Sequence, residues 1–561
     1  MKEETKKWWQ SAVVYQIYCK SFCDSNGDGI GDLQGVISKL PMLQELGVDC
    51  IWLNPIFPSP QCDNGYDIAD YDSIDPCFGT MDDFRQLLDE AHKRGIRVLL
   101  DMVMNHSSDK HPWFVRSRQS KDDPYRNYYI WRPAKPDGSA PNNWGNYCHE
   151  GDGSAWTYDE KTGEYYLHEY LQSMPDLNWE YEPLRSEMYA MMRRWLDMGV
   201  DGFRLDVLNR IQKPAGLPDS KKAPAHPGDK FVLDRVICAN VEGIHEKIHD
   251  MYENVWQHYD MMTVGEMPSA TPENSLPYIQ RQRCELNMLF HFLLQRKPGA
   301  PKITPQEYKN TQQSWIDLLP KGGWLAQWLS NHDHPRHVSC MGNDREYRVE
   351  SAKLLALLNH TMPGTPYVYQ GEEIGMTNVA FDDISAYRDC NTIGLYQVKK
   401  ADGFSDEQAL RFVRPTSRDN ARTPYQWNDE KHAGFTTGTP WLGVNPNYKH
   451  INLRADRDAP DSIFRFYQKL IALRKTEPAI VDGDFTFWLK EHPQMVVYTR
   501  RSQTQTLLVV CNFSDERALF SLPQELLEKK WKRLLTNREN AEASLTRRDF
   551  WSAWEAELYT L

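Results

Sequence analysis

From residue 13 to about residue 480, short apolar runs alternate with segments of helical period. The apolar runs Val13–Tyr18, Cys50–Leu53, Arg97–Met102, Gly202–Asp206, Met262–Gly265, Met288–Phe292, Leu325–Leu329 and Tyr367–Tyr369 read as strands. Between them, Met81–Arg94, Pro183–Met198 and Val349–Leu358 place apolar residues three and four apart, as amphipathic helices do. Pro183 suits a first helical turn, where no backbone N–H is needed. Eight strands with helical crossovers predict an α/β fold of the (β/α)8 TIM-barrel kind, although an open doubly wound sheet meets the same spacing.

Two stretches interrupt this rhythm. Residues 107–173, rich in Trp, Tyr, Asn, Gly and Pro, predict a small irregular subdomain inserted after the third strand. A second excursion, about 375–460, follows the eighth strand and ends before the amphipathic segment Ser462–Lys475. After Pro478 the pattern becomes short and alternating, at Phe485–Leu489, Met495–Thr499, Thr506–Cys511 and Ala518–Leu522, which predicts an antiparallel β-sandwich. The expected organisation is a barrel over 1–106 and 174–480, the inserted subdomain over 107–173 and a C-terminal sandwich over 481–561.

Composition narrows the function. The 561 residues carry a formal net charge of −13 with no basic block, which argues against nucleic acid or an anionic membrane as partner. The 19 Trp and 28 Tyr suit stacking on carbohydrate. MKEETKKWWQ at the start is polar and has no signal-peptide pattern, and no run is long enough to span a bilayer. The 11 cysteines form no CxxC pair and read as reduced thiols of a cytoplasmic protein, a monomer or small homo-oligomer.

The chemistry gathers at strand ends. In DGFRLDVLNRIQK, Asp201–Lys213, strand alternation puts Phe203 and Leu205 on one face and Arg204 with Asp206 on the other. A guanidinium so near a carboxylate favours its ionised form. DMVMNH ends the third strand at Asn105 and His106, MMTVGEM ends the fifth at Glu266, and WLAQWLSNHD ends the seventh at His332 and Asp333. Four polar strand ends, three with carboxylates, point to one shared site at the C-terminal face of a barrel.

DMVMNH, MPDLNW, GFRLDV, VGEM and SNHD, in that order, resemble the signature regions of the α-amylase superfamily of glycoside hydrolases. The resemblance covers nearly the whole chain. It implies Asp206 as nucleophile, Glu266 as general acid/base and Asp333 as the carboxylate that steadies a distorted sugar, with His106 and His332 on the sugar hydroxyls. This division of labour is what retaining glycoside cleavage needs. CDNGYDIADY and SRDNARTPYQW are similar to the oligo-1,6-glucosidase branch. That likeness implies an Asp63–Arg422 pair closing the first subsite, Tyr66 as a stacking wall, and release of one glucose from a chain end. Val207, after the nucleophile, accompanies α-1,6 preference in that branch. His334, Cys340, Met174 and Arg210 depart from its pattern near the aglycone side.

DSNGDGIGD matches a hard-cation loop, with oxygen ligands at Asp24, Asn26, Asp28, the Ile30 carbonyl and Asp32 and a sharp turn at Gly29. The family resemblance implies a structural Ca2+; the spacing also admits Mg2+, or an Asx-rich turn capping a helix at Leu33. No cofactor is implied for catalysis. Within the family, the alternatives are a trehalose-6-phosphate hydrolase using Arg210 and Lys213 to read phosphate, a dextran glucosidase, a broad α-1,4/α-1,6 enzyme and a sucrose isomerase. A non-catalytic scaffold relative predicts loss of one catalytic carboxylate, and all three are present.

Overall fold

The computed structural model describes residues 6–226, 228–295, 300–538, 545 and 550–561. Its apolar runs form one parallel eight-stranded sheet: Val14–Ile17, Cys50–Leu53, Arg97–Val103, Gly202–Asp206, Met262–Glu266, Met288–Phe290, Ala326–Gln327 and Thr365–Tyr369. The order is seventh, eighth, then first to sixth, so only the sixth and seventh strands lack a ladder between them. Side chains close that seam: the Trp328 indole donates to the His291 carbonyl at 3.1 Å, and the Gln295 amide to the Leu329 carbonyl at 3.2 Å. The sheet is therefore a barrel and not an open doubly wound sheet. The seventh strand is two residues long, shorter than the apolar run predicts, because Trp328 is used for this closure.

Alternation sorts the strands into two cores. Trp52, Leu99, Val264, Met288, Phe290 and Tyr367 fill the barrel, while Phe203 and Leu205 face the surrounding helices. Gly202 is required by close approach: its φ is +147°, and a Cβ there would lie 2.0 Å from the Met262 carbonyl. The fourth and fifth strands can thus bring Asp206 and Glu266 together at their ends. One helix follows each strand, from Leu33–Leu46 to Ile463–Thr476. Pro183 lies in the first turn of Glu182–Met198, and Gly199 ends that helix in the left-handed region.

Between the third strand and Glu182–Met198 lies a three-stranded antiparallel sheet, Trp131–Arg132, Glu164–Leu167 and Trp156–Asp159. A third excursion, residues 211–243, goes beyond the two that the sequence pattern suggests. It covers the small sheet by burying Leu217 and Cys238 against Trp144 and Trp156. Its Pro, Lys and Gly content carries no period, so it left no element to predict. After the barrel, Asp484–Trp488, Met495–Arg501, Thr506–Asn512, Ala556–Thr560 and Lys532–Thr536 form a five-stranded antiparallel sheet in that order. Ala518–Leu519 and Phe550–Trp551 pair separately, and the two sheets share an apolar layer containing Val497, Leu508 and Trp551. Among the described residues, no helix is long and apolar enough to cross a membrane.

Candidate active site

The fourth strand sets the centre. Arg204 is fully buried, and its Nη1 donates to Asp206 Oδ1 at 2.5 Å and to Asp101 Oδ1 at 2.7 Å, while Nη2 lies 2.7 Å from Glu266 Oε2. One guanidinium is thus divided among three carboxylates. Arg204 favours the ionised form of Asp206, as expected, but it is shared. Burial pushes Asp206 well above the ordinary carboxylate range, Arg204 opposes it, and Glu266 and Asp101 add to it. Asp206 and Glu266 thus face one another across the same guanidinium. Asp101, which the sequence reading missed, opens the DMVMNH motif and lies beside Arg204 across the strand pair. That register was the available signal.

The turn after Asp206 is strained. Val207 has φ +36° and ψ +40°, a conformation costly for a β-branched residue. Its N–H donates to Glu266 Oε2 at 3.1 Å, so the turn fixes the second carboxylate against the first.

Tyr66 forms one wall. Its ring stacks on His332 with centroids 5.3 Å apart and planes 6° from parallel. Gln16 donates to His332 Nδ1 at 2.9 Å, which leaves the Nε2 proton for the Tyr66 oxygen at 2.6 Å, and Tyr66 donates in turn to Asp101 at 2.8 Å. His332 is therefore engaged at both nitrogens and completely buried, with Nε2 also 3.3 Å from Asp333 Oδ2. Burial lowers its pKa well below the usual value, consistent with the neutral tautomer. His106 behaves differently. Asn105 contacts its Nδ1 at 3.3 Å, and its Nε2 has no hydrogen-bond partner among the described residues although the ring lines the cavity. Burial brings its pKa down to about 4, so a neutral ring offers Nε2–H to a ligand.

The closed end is built from SRDNARTPYQW, but by its first arginine. Arg418 Nη2 donates to Asp63 Oδ1 at 2.8 Å, Nε to Asp389 Oδ1 at 2.7 Å and Nη1 to Asp333 Oδ1 at 3.3 Å. Arg422 instead donates to Asp333 Oδ1 at 2.6 Å and to the His332 carbonyl at 3.0 Å. The expected Asp63–Arg422 pair is thus an Asp63–Arg418 pair, because Arg418 lies at the start of the short helix Asp419–Arg422 and Arg422 at its inward end. Burial opposes ionisation of Asp333, yet the guanidinium groups of Arg418 and Arg422 help hold it well below the ordinary range. Asp389 was also missed; an Asp in a non-periodic excursion carries no sequence signal of its own.

These groups line a cavity of about 1040 Å³, with Asp63, Tyr66, His106, Asp206, Glu266 and Asp333 among its lining residues. Arg204, His332 and Arg422 support it from behind, each fully buried. Val207, Met174, Arg210 and His334 lie along it; Cys340 does not. Arg210 and Lys213 are already paired. Arg210 bonds Tyr147 and, at 2.9 Å, Glu169, while Lys213 meets Glu169 at 3.0 Å and Asp176 at 2.8 Å.

The Asp24–Asp32 loop lies apart from the cavity. Asp24 accepts the N–H groups of Asn26, Gly27 and Gly29, Asn26 accepts that of Asp28, and Asp28 accepts that of Ile30. Asp32 caps the helix Leu33–Leu46 through Gly35 N–H at 2.6 Å. The donor atoms are oxygens throughout, the set a hard cation takes. Among the described residues, no group of three or more His, Cys, Asp or Glu converges as a metal set.

Comparison with known proteins agrees with this geometry. Residues 16–483 match the alpha amylase catalytic domain, and residues 485–546 the maltogenic amylase C-terminal domain. A protein of Halalkalibacterium halodurans named oligo-1,6-glucosidase is 51% identical over 543 residues, 96% of each chain. The crystal structure of Bacillus licheniformis trehalose-6-phosphate hydrolase superposes with a TM-score of 0.91 at 42% identity, covering 99% of this chain and 100% of that one. Trehalulose synthase from Pseudomonas mesoacidophila gives 0.90 at 40% identity with the same coverage. With its barrel, its carboxylate cluster and this match, the chain belongs to the α-amylase family of glycoside hydrolases.

Proposed function

We propose that the protein is a retaining, exo-acting α-glucosidase of the oligo-1,6-glucosidase type, releasing glucose from the non-reducing end of short α-glucosides. The observation that carries this reading is the Arg418 bridge to Asp63 and Asp333, which ties two excursions together beside the catalytic carboxylates in the cavity lining.

The residues supply each step. Asp63, His106 and Arg418 hold the terminal glucose, and Tyr66 packs on its face. Retention divides the two carboxyls: Glu266 gives a proton to the leaving oxygen as Asp206 attacks the anomeric carbon. Glu266 then takes a proton from water, which releases glucose from Asp206 with the original anomeric configuration. Asp333 stays ionised beside the positively charged transition state.

Val207 supports the α-1,6 preference because it borders the cavity on the leaving-group side. A contact of this size discriminates by about 1–3 kcal/mol, so the preference is not exclusive. A phosphorylated substrate is less well supported, since the charges of Arg210 and Lys213 are answered by Glu169 and Asp176. Digestion of isomaltopentaose tests the exo reading. Glucose and isomaltotetraose in equal initial amounts, with α-glucose appearing first by NMR, are expected; early isomaltose and isomaltotriose contradict the exo reading, and β-glucose first contradicts the mechanism.

Two further properties belong to this reading. Asp24, Asn26, Asp28, the Ile30 carbonyl and Asp32 would hold a structural Ca2+. The loop packs on the late excursion, where Asp24 N–H donates to the Phe435 carbonyl at 3.0 Å and Trp441 N–H to the Gly29 carbonyl at 3.0 Å. A cation there would pin the excursion to the barrel. Chelation by EDTA is then expected to lower Tm by several degrees, with Ca2+ restoring it; a Tm unmoved by EDTA removes the proposal. The 11 free cysteines, six of them buried, suit a reducing cytoplasmic compartment.

A further inference from the structure

Two thiols meet at the edge of the sugar pocket. Cys390 begins the helix Cys390–Ala401 of the late excursion, and its Sγ donates to Asp63 Oδ1 at 3.4 Å and accepts from Arg418 Nη2 at 3.2 Å. The thiol of Cys148, which comes from the inserted subdomain, lies beside it. Backbone contact backs this up one turn along the helix. A Cβ at Gly394 would lie 2.5 Å from the Cys148 carbonyl, so the helix rests directly on the Cys148 segment. Both cysteines are free, Cys148 buried and Cys390 half-buried.

We propose that Cys148 and Cys390 form a reversible disulfide that joins the subdomain to the late excursion and switches off the sugar pocket. Hydrogen peroxide is the oxidant class. The Cys390 thiolate attacks peroxide, becoming a sulfenic acid with release of water. Cys148 then attacks that sulfur, the S–S bond forms, and the departing hydroxide takes a proton to become a second water. In sum, two thiols and one peroxide give one disulfide and two waters. A dithiol reverses the bond by exchange. The bond removes the thiol proton that Cys390 gives to Asp63 and draws its sulfur from Arg418, which disturbs the pair that closes the pocket. The contact with Cys148 and burial push the Cys390 thiol up, so the reaction is slow at neutral pH and quickens in alkaline buffer.

The loss of turnover rests on reading Asp63 and Arg418 as sugar ligands; formation of the bond does not. The test treats the reduced full-length enzyme with hydrogen peroxide at pH 7 and pH 9. Linked peptides are mapped by mass spectrometry without reduction, and glucose release from isomaltose is followed in parallel. A 148–390 linked peptide is expected, with turnover falling at least tenfold and returning with dithiothreitol. Cys148→Ser, away from the sugar contacts, is expected to keep its turnover before and after peroxide. Absence of the linked peptide overturns the proposal, and the mapping gives that answer even if the variant fails to fold. Equal inactivation of Cys148→Ser overturns the switch, as does a linked peptide with unchanged turnover, which would also count against the assigned role of Asp63 and Arg418.

Discussion

Replacing Asp206 with asparagine is expected to lower glucose release by about 10⁴-fold or more while the protein folds normally. A loss of that size corresponds to about 5 kcal/mol of transition-state stabilisation, more than one hydrogen bond supplies. The amide keeps the shape of the carboxylate and its oxygen still accepts from Arg204, but it cannot form the glycosyl ester. Stability should move the other way. Burial and the neighbouring carboxylates disfavour the ionised form of Asp206, so a neutral side chain relieves that cost. The Tm of Asp206→Asn at pH 7 is therefore expected to equal or exceed that of the wild type, a trade of stability for activity common at catalytic sites. Turnover within tenfold of wild type would remove Asp206 from the nucleophile's role.

Replacing Arg418 with alanine is expected to cut kcat/KM on isomaltose by about 10²–10⁴-fold and to destabilise the fold as well. Arg418 answers Asp63, Asp389 and Asp333, and all three are left without it. Removing one partner from a buried charge network typically costs about 3–5 kcal/mol. Arg418→Lys separates the two effects. It returns a positive charge, and with it much of the stability, but one ammonium cannot reproduce the fork to three carboxylates. The lysine variant is expected to melt close to wild type and still lose most of its turnover. Arg422→Ala, by contrast, acts through Asp333 and the His332 carbonyl and not through Asp63. If Arg422→Ala rather than Arg418→Ala abolished chain-end recognition, the pairing seen here would be refuted.

The barrel was legible because its strands are buried on both faces and read as apolar runs between helical periods. Their ends were legible because polar residues break those runs abruptly, as at Asp206, Glu266 and Asp333. What stayed hidden lies where no period exists. The excursion 211–243 has neither helical nor strand spacing, and Asp389 sits in a similar stretch. Arg418 and Arg422 are four residues apart in one motif, and only the short helix between them decides which turns toward Asp63. His332 shows a different limit. Its place in SNHD suggests a sugar contact, but gives no sign that Trp52, Tyr18 and Tyr66 pack around the ring. The charge state of Asp206 also could not be read from GFRLDV, because it depends on three carboxylates from three strands sharing one guanidinium.

The most direct measurement is the initial rate of glucose release from isomaltose, maltose, sucrose, trehalose and trehalose 6-phosphate, in parallel, for the wild type and Val207→Ala. Isomaltose is expected to be the fastest substrate of the wild type, with its advantage over maltose reduced about tenfold or more in the variant, the scale of one apolar contact. Faster turnover of trehalose 6-phosphate or maltose by the wild type would contradict it, keeping the retaining mechanism but moving control of the leaving sugar from Val207 to His334, Met174 and Arg210.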